Sequence, residues 1–168
     1  MKLIEIDKAR YRKHLNVVIV VCIVVFASSS LGLSQLLIAL YPDPSGSHFH
    51  WNLTGVIVSA IAIGFTLNKY RTHPFMKEVT YVWELKQTLN KLTRKMRKLK
   101  EAAAKGDVNA MVAINYSYAG SRLLWELDDN TIIMDQLAID QAELDRLAVK
   151  FNVRLDHNDY EETILNGF

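Results

Sequence analysis

The chain has 168 residues, half of them hydrophobic, with 20 Lys and Arg against 18 Asp and Glu and one cysteine. The length suits one ordinary domain, and the lone Cys22 excludes an intramolecular disulfide and any cysteine-based metal site. Charge is segregated: residues 1–105 carry 16 Lys and Arg against 6 Asp and Glu, residues 106–168 carry 4 against 12, and residues 17–40 and 53–67 carry none.

Residues 1–16 form a charged leading segment containing Lys8, Arg10, Arg12 and Lys13. The run that follows, VVIVVCIVVFASSSLGLSQLLIAL, has 24 residues. As a helix it is about 36 Å long, against about 30 Å of bilayer hydrocarbon, so it spans with some tilt. Val25-Phe26-Ala27 offers a signal-peptidase-like site. The apolar run continues past Ala27 and the leading segment is long and charged, so a retained signal-anchor helix is expected. Cys22 reads there as a small apolar side chain.

Residues 41–52, YPDPSGSHFHWN, break the run; Pro42, Pro44 and Gly46 end one helix and reverse the chain. The second apolar run, LTGVIVSAIAIGFTL, has 15 residues, about 22 Å as a helix. Trp51 and Tyr70 flank it as interfacial aromatics and bring it close to spanning length. Lys69, Arg71 and Lys77 follow it, and the intervening loop holds no Lys or Arg. Lys- and Arg-rich flanks stay cytoplasmic. Residues 17–70 are therefore expected to form a transmembrane hairpin in a bacterial inner membrane, with both termini cytoplasmic and a periplasmic loop at 41–52. Small residues four apart let helix backbones approach closely. Ser28-x-x-x-Gly32, Gly55-x-x-x-Ser59 and Ala60-x-x-x-Gly64 are the candidate packing positions, within one hairpin or between copies.

Residues 71–152 read as a cytoplasmic helical bundle. Pro74 suits the first turn of a helix. From Val82 the apolar positions Leu85, Leu89, Leu92, Met96, Leu99 and Ala103 follow in steps of 3 and 4, a heptad seam. Lys105-Gly106 closes that helix and Asp107 caps the next. The second helix runs over about 108–127, with Val112, Tyr116, Ala119, Leu123 and Leu127 on one stripe. The third runs over about 132–151, with Ile133, Leu137, Leu144, Leu147 and Phe151 on its apolar face and Asp140 and Gln141 at a wet edge. Short turns imply antiparallel neighbours. The predicted fold is all-α: a two-span hairpin followed by a three-helix coiled bundle. Residues 153–168 read as a loose acidic tail with a last turn at most.

Five short blocks, His50-Trp51-Asn52-Leu53-Thr54-Gly55, His73-Pro74-Phe75-Met76, Tyr81-Val82-Trp83, Gly120-Ser121-Arg122 and Leu127-Asp128-Asp129-Asn130-Thr131, resemble an uncharacterised family of small gammaproteobacterial inner-membrane proteins. The resemblance covers most of the chain. It implies compartment and topology, and it transfers no catalytic residue.

His48 and His50 form H-x-H with Asp43 nearby. That is at most three ligands where a closed structural site wants four, so no metal is assigned. KLTRKMRKLK, residues 91–100, has six cations and no acid. Nucleic acid and anionic lipid both suit such charge, but aromatic interleaving is lacking, and Lys91 lies several Debye lengths beyond the second span if the helix runs straight. The acids of the later helices, Glu126, Asp128, Asp129, Asp135, Asp140, Glu143 and Asp145, suit it better. Asp128-Asp129-Asn130-Thr131 lacks the glycine and glutamate of a calcium loop; Asn130 or Thr131 caps the third helix instead. Gly120 sits mid-helix where another helix approaches closely, and Trp83, Tyr116, Tyr118 and Trp125 are aromatic anchors.

No residues supply nucleophile and base together, and neither apolar run holds an ionisable side chain of the kind coupled transport uses. The expected function is a non-enzymatic inner-membrane protein, without cofactor, whose bundle binds a protein partner or itself. Lys91, Arg94, Lys95, Arg97, Lys98, Trp125, Asp135 and Asp140 are the candidate interaction residues, with lipid as the other partner. The alternative is a small pore or transport accessory subunit built from oligomerised hairpins, motivated by the small-residue stripes, Ser28, Ser29, Ser30 and Gln35.

Overall fold

A computed structural model describes residues 1–42, 46–130 and 134–168. The described residues are helical with no strand. Five α-helices follow one another: α1 (Lys8–Leu40), α2 (Phe49–Tyr70), α3 (Lys77–Ala103), α4 (Val108–Leu127) and α5 (Met134–Lys150). Single turns of 3-10 helix occupy Pro74–Met76 and His157–Asp159, and a longer one Glu162–Gly167. The chain divides into two compact units, residues 9–80 and residues 1–8 with 81–168.

In residues 9–80, α1 and α2 are longer than the apolar runs within them. At 33 and 22 residues both are long and apolar enough to cross a membrane. They are apolar on all sides: Val20, Ile23, Leu31, Leu36, Ile61 and Phe65 are all exposed, the pattern of a helix that water does not face. The two helices touch through small residues. Ser30 and Ser34 of α1 and Gly55 and Ser59 of α2 are buried, as is Tyr11 near the start of α1. A Cβ on Gly55 would stand 2.3 Å from Ser34 Oγ and 2.8 Å from the Ser30 carbonyl oxygen. The hydroxyl of Ser34 donates back to that same carbonyl at 2.8 Å. Trp51 Nε1 donates to the Tyr41 carbonyl at 3.0 Å across the connection. His73 caps the turn at Pro74–Met76, its Nδ1 accepting from the Phe75 N–H.

In the other unit α4 is the central element. Ala110, Met111, Ala113 and Tyr116 are wholly inaccessible, and eleven of its 20 residues are buried. One amphipathic stripe was the expectation; Ala119 and Leu123 on that stripe are only half-buried, while Ala110, Met111, Ile114 and Tyr118 off it are buried. The helix is enclosed because α3, α5 and the C-terminal segment all pack on it. The α3 seam is buried at Val82, Leu85, Leu89, Leu92, Leu99 and Ala103, and half-buried at Met96. Gly120 is the close approach that its mid-helix position suggested: a Cβ there would lie 3.0 Å from Leu89 Cδ2. Leu137, Leu144 and Ala148 turn the α5 face inward.

Helices α3, α4 and α5 stop in the same way, each with a left-handed residue just past its end. Gly106 (φ 92°), Asp129 (φ 56°) and Asn152 (φ 55°) take that conformation. The next amide in each case reaches back to close the turn: Asp107 to Ala102, Asn130 to Trp125 and Val153 to Ala148, at 2.8–3.1 Å. Asp107 then caps α4 by accepting from the Ala110 N–H. The cap assigned to Thr131 and the packing of Ile133 lie outside the described residues.

A side chain at Gly55 forces α1 and α2 apart. Gly55→Val is expected to cost about 1–3 kcal/mol, as overpacking does, and to lower the thermal midpoint of the detergent-solubilised chain. Gly64→Ala, where a Cβ meets nothing within 4 Å, is expected to leave that midpoint unchanged.

Candidate functional site

α3 carries six Lys and Arg within residues 91–100, and their partners differ from the expected ones. Lys91, Lys95 and Lys98 lie at helical spacing on one side. All three turn to the C-terminal segment. Lys91 pairs with the Glu162 carboxylate, Lys95 Nζ donates to the Leu165 carbonyl at 2.6 Å, and Lys98 Nζ donates to the Phe168 carbonyl at 2.9 Å. Two of the three thus bind main-chain oxygens. The acids of α4 and α5 answer others: Lys86 pairs with Asp128 at 3.1 Å and Lys100 with Asp140 at 3.9 Å. Arg97 pairs along its own helix with Glu101 at 3.9 Å. Arg94 and Asp135 are exposed and Trp125 is half-buried.

Residues 153–168 are therefore docked rather than loose. Tyr160 and Leu165 are each only 4% exposed. The Tyr160 ring stacks on Tyr116 with centroids 4.2 Å apart, and the Asp156 carboxylate holds the preceding turn by accepting from the Asn158 N–H at 2.8 Å. Two apolar side chains and a comb of three lysines outweigh the repulsion of the segment's acids. The count of acids concealed this; the signal in the sequence was the apolar pair Tyr160 and Leu165 within a polar stretch.

Burial sets the chemistry of this contact. It pushes the Tyr160 phenol up to about 12, with the Glu162 charge adding to the effect. It pushes Tyr116 up further, with Tyr81, Tyr160 and Glu162 as smaller contributors. Both hydroxyls are buried without a hydrogen-bond partner among the described residues. The hydrogen bond from Lys91 holds the Glu162 carboxyl below its ordinary value.

The N-terminal residues belong to the same unit. The Ile4 amide donates to Tyr81 Oη at 2.9 Å, the Tyr81 hydroxyl donates to the Lys2 carbonyl at 3.1 Å, and Lys8 pairs with Asp129. Asp128 and Asp129 thus serve as lysine partners at the end of α4. On α5, Gln141 Nε2 donates to Asn115 at 3.2 Å and to Asp145 at 2.9 Å, a polar edge beside the apolar face.

In residues 9–80 the expected packing positions divide. Gly55 and Ser59 are buried, whereas Ser28, Gly32, Ala60 and Gly64 are exposed. The α1 side of the contact is Ser30 and Ser34, a small pair with the same four-residue spacing two positions further along. Periodicity alone did not choose between the two registers. His48 precedes α2 and His50 leans on Trp51 with ring centroids 4.6 Å apart; Asp43 lies outside the described residues. Away from the Gly55 contact, α1 and α2 leave an apolar crevice of about 340 Å³.

The chain matches, over residues 1–165, the family described as "Protein of unknown function (DUF3087)", and it belongs to that family. No curated protein matches it, and no solved structure does.

Because the folded-state pKa values of Tyr160 and Tyr116 lie above the ordinary 10.0, the stability they contribute is complete below pH about 10 and is lost as pH rises through the folded values. In an absorbance titration these two of the seven tyrosines are expected to ionise last, together with release of the C-terminal segment to protease. Tyr160→Ala is expected to cost about 3 kcal/mol, as large core truncations do. Tyr160→Phe removes an unsatisfied hydroxyl and is expected to leave stability equal or higher.

Proposed function

We propose that this member of the family is a non-enzymatic protein of the bacterial inner membrane, whose α3–α5 unit binds a protein partner or a second copy of the chain. Helices α1 and α2 are the two spans, with both termini on the cytoplasmic side. The apolar surface all round both helices supports the spans. The placing of cations supports the orientation: Arg10, Arg12 and Lys13 precede the first apolar run, Lys69, Arg71 and Lys77 follow the second, and no Lys or Arg lies between.

One observation carries the binding reading. The core of the α3–α5 unit is complete, with Leu85, Leu92 and Leu99 wholly inaccessible, yet α5 leaves Ile139 62% and Val149 83% exposed. Ala142 and Arg146, both exposed, stand between them in steps of 3, 4 and 3. The four residues form one line along the helix, with charged residues on either side. A line of exposed hydrocarbon with one cation in it, Arg146, rimmed by polar groups and unused by its own fold, has the form of a docking face. Asp135 begins the same line, so the acidic third helix brings both the apolar contact and the charge that sets its register. The docked lysines Lys91, Lys95 and Lys98 are already engaged, which leaves Arg94 as the exposed cation of the basic stretch best placed to meet an acidic partner.

A second reading, a pore or transport accessory assembled from hairpins, is favoured by the outward small residues Ser28, Gly32, Ala60 and Gly64. Flux through reconstituted vesicles separates the two readings, since the binding reading expects none above empty vesicles.

The pair Ile139→Asp and Val149→Asp alters exposed positions, so folding is expected to change by no more than about 0.5 kcal/mol. Self-association in detergent, or capture of the crosslinked partner, is expected to weaken by about tenfold or more. A wild-type chain that stays monomeric and crosslinks to nothing in cells refutes the binding reading.

A further inference from the structure

We propose that the crevice between α1 and α2 holds one acyl chain of an anionic phospholipid, whose phosphate is gathered by the basic residues at the cytoplasmic ends of the two helices; this rests on the membrane reading above. The crevice has a volume of about 340 Å³ and is walled by Val18, Cys22, Val25 and Leu33 of α1 and by Ala62 and Ile63 of α2, with Phe75 at one end. It is long and narrow. Its lining on α1 runs from Val17 to Leu33, about 24 Å at 1.5 Å per residue, longer than half a bilayer core. Its walls are almost wholly apolar. Ser29, Ser59 and Thr66 are the hydroxyls of the lining; Ser29 and Thr66 already donate to carbonyls of their own helices, which leaves Ser59 short of the two to four polar partners that ordered water needs. A hydrocarbon chain needs none.

The end of the crevice fixes what the chain is attached to. Phe75 lies at that end and stacks on His14 with centroids 4.1 Å apart. His14 Nδ1 faces Glu78 at 3.5 Å, and Arg10 Nε meets the other oxygen of the same carboxylate at 3.0 Å. The apolar crevice thus passes directly into a charged rim. Residues 9–16 and 69–80 bring six Lys and Arg to that rim, namely Arg10, Arg12, Lys13, Lys69, Arg71 and Lys77, against Glu78 as the one acid. Lys13, Lys69 and Lys77 are exposed, and long basic side chains at this level reach the headgroup layer. A rim so charged selects an anionic headgroup over a zwitterionic one. It also argues against a second copy in the crevice, because a parallel copy brings the same six cations against these six, and like charges brought together across an interface are costly.

The test uses the full-length chain in nanodiscs made from equal parts phosphatidylcholine and phosphatidylglycerol, then released into mild detergent for native mass spectrometry. One phosphatidylglycerol per chain is expected to remain bound. Ala62→Phe fills the crevice from its wall and is expected to lower retention at least tenfold. Lys69→Gln with Lys77→Gln is expected to abolish the preference for phosphatidylglycerol while leaving some lipid bound. On the unaltered chain, phosphatidylglycerol is expected to slow alkylation of Cys22 by an apolar maleimide, and inorganic phosphate alone is not. Equal retention of the two lipids, full retention in Ala62→Phe, displacement of the lipid by inorganic phosphate, or ready Cys22–Cys22 crosslinking between copies each overturns the proposal. A chain that washes from membranes in carbonate instead defeats the membrane reading, and a chain that stays there without phosphatidylglycerol defeats this site alone.

Discussion

Helix α4 has apolar surface on every side, and the α3–α5 unit is organised around covering it. A surface helix with a single stripe is satisfied by one neighbour. α4 buries Ala110, Met111, Val112, Ala113, Ile114, Tyr116 and Tyr118 in barely more than two turns, which leaves no face for water. α3 covers one side through Leu85 and Leu89 at the Gly120 approach. α5 covers another and adds the Gln141 to Asn115 hydrogen bond. The Tyr116 ring is covered by the C-terminal segment, whose Tyr160 stacks on it. The last sixteen residues are thus part of the fold: without them a wholly buried tyrosine loses its cover.

That dependence also explains the chemistry of the contact. A phenol removed from water resists ionisation, so Tyr116 and Tyr160 shift upward together. Their hydroxyls remain without partners among the described residues, an arrangement that costs stability. The lysine comb offsets part of that cost, and it acts on the main chain as much as on carboxylates. Lys95 and Lys98 bind the main-chain oxygens of Leu165 and Phe168. With its chain in short turns at 157–159 and 162–167, a net-acidic segment thus lies along a basic helix in fixed register.

The helices, their ends and the α3 seam were legible because each depends on local sequence. The steps of 3 and 4 from Val82 mark a face that the structure buries, and the glycine at 106 and the aspartate at 107 end one helix and cap the next as their residue types suggest. What sequence did not disclose depends on distant neighbours. The stripe on α4 was ambiguous because apolar residues fill the positions between its members. The docking of residues 153–168 required Tyr116 to be known as an open site. In residues 9–80, both Ser28-x-x-x-Gly32 and Ser30-x-x-x-Ser34 satisfy the same small-residue rule, and only the rotation of α1 against α2 distinguishes them. Gly55 was identified correctly as a residue, with its partner on α1 shifted by two positions. A rotation of that size is about 200° around a helix, enough to turn a contact face outward.

Segregated charge gives the last link from sequence to function. An acidic second half and a basic first half invite the inference that opposite helices neutralise one another. Among the described residues they do so at Lys86 with Asp128, Lys8 with Asp129, Lys100 with Asp140 and Lys91 with Glu162. Exposed pairs of this kind contribute about 0–1 kcal/mol each, so their value lies in register more than in stability. Once those pairs and the lysine comb are formed, the surface of the α3–α5 unit is no longer a basic face opposed to an acidic one. It is a mixed surface on which Ile139 and Val149 of α5 and Trp83 of α3 remain exposed. Part of the charge separation evident in the sequence is used in folding, and exposed hydrocarbon on α5 stands among the charges that remain.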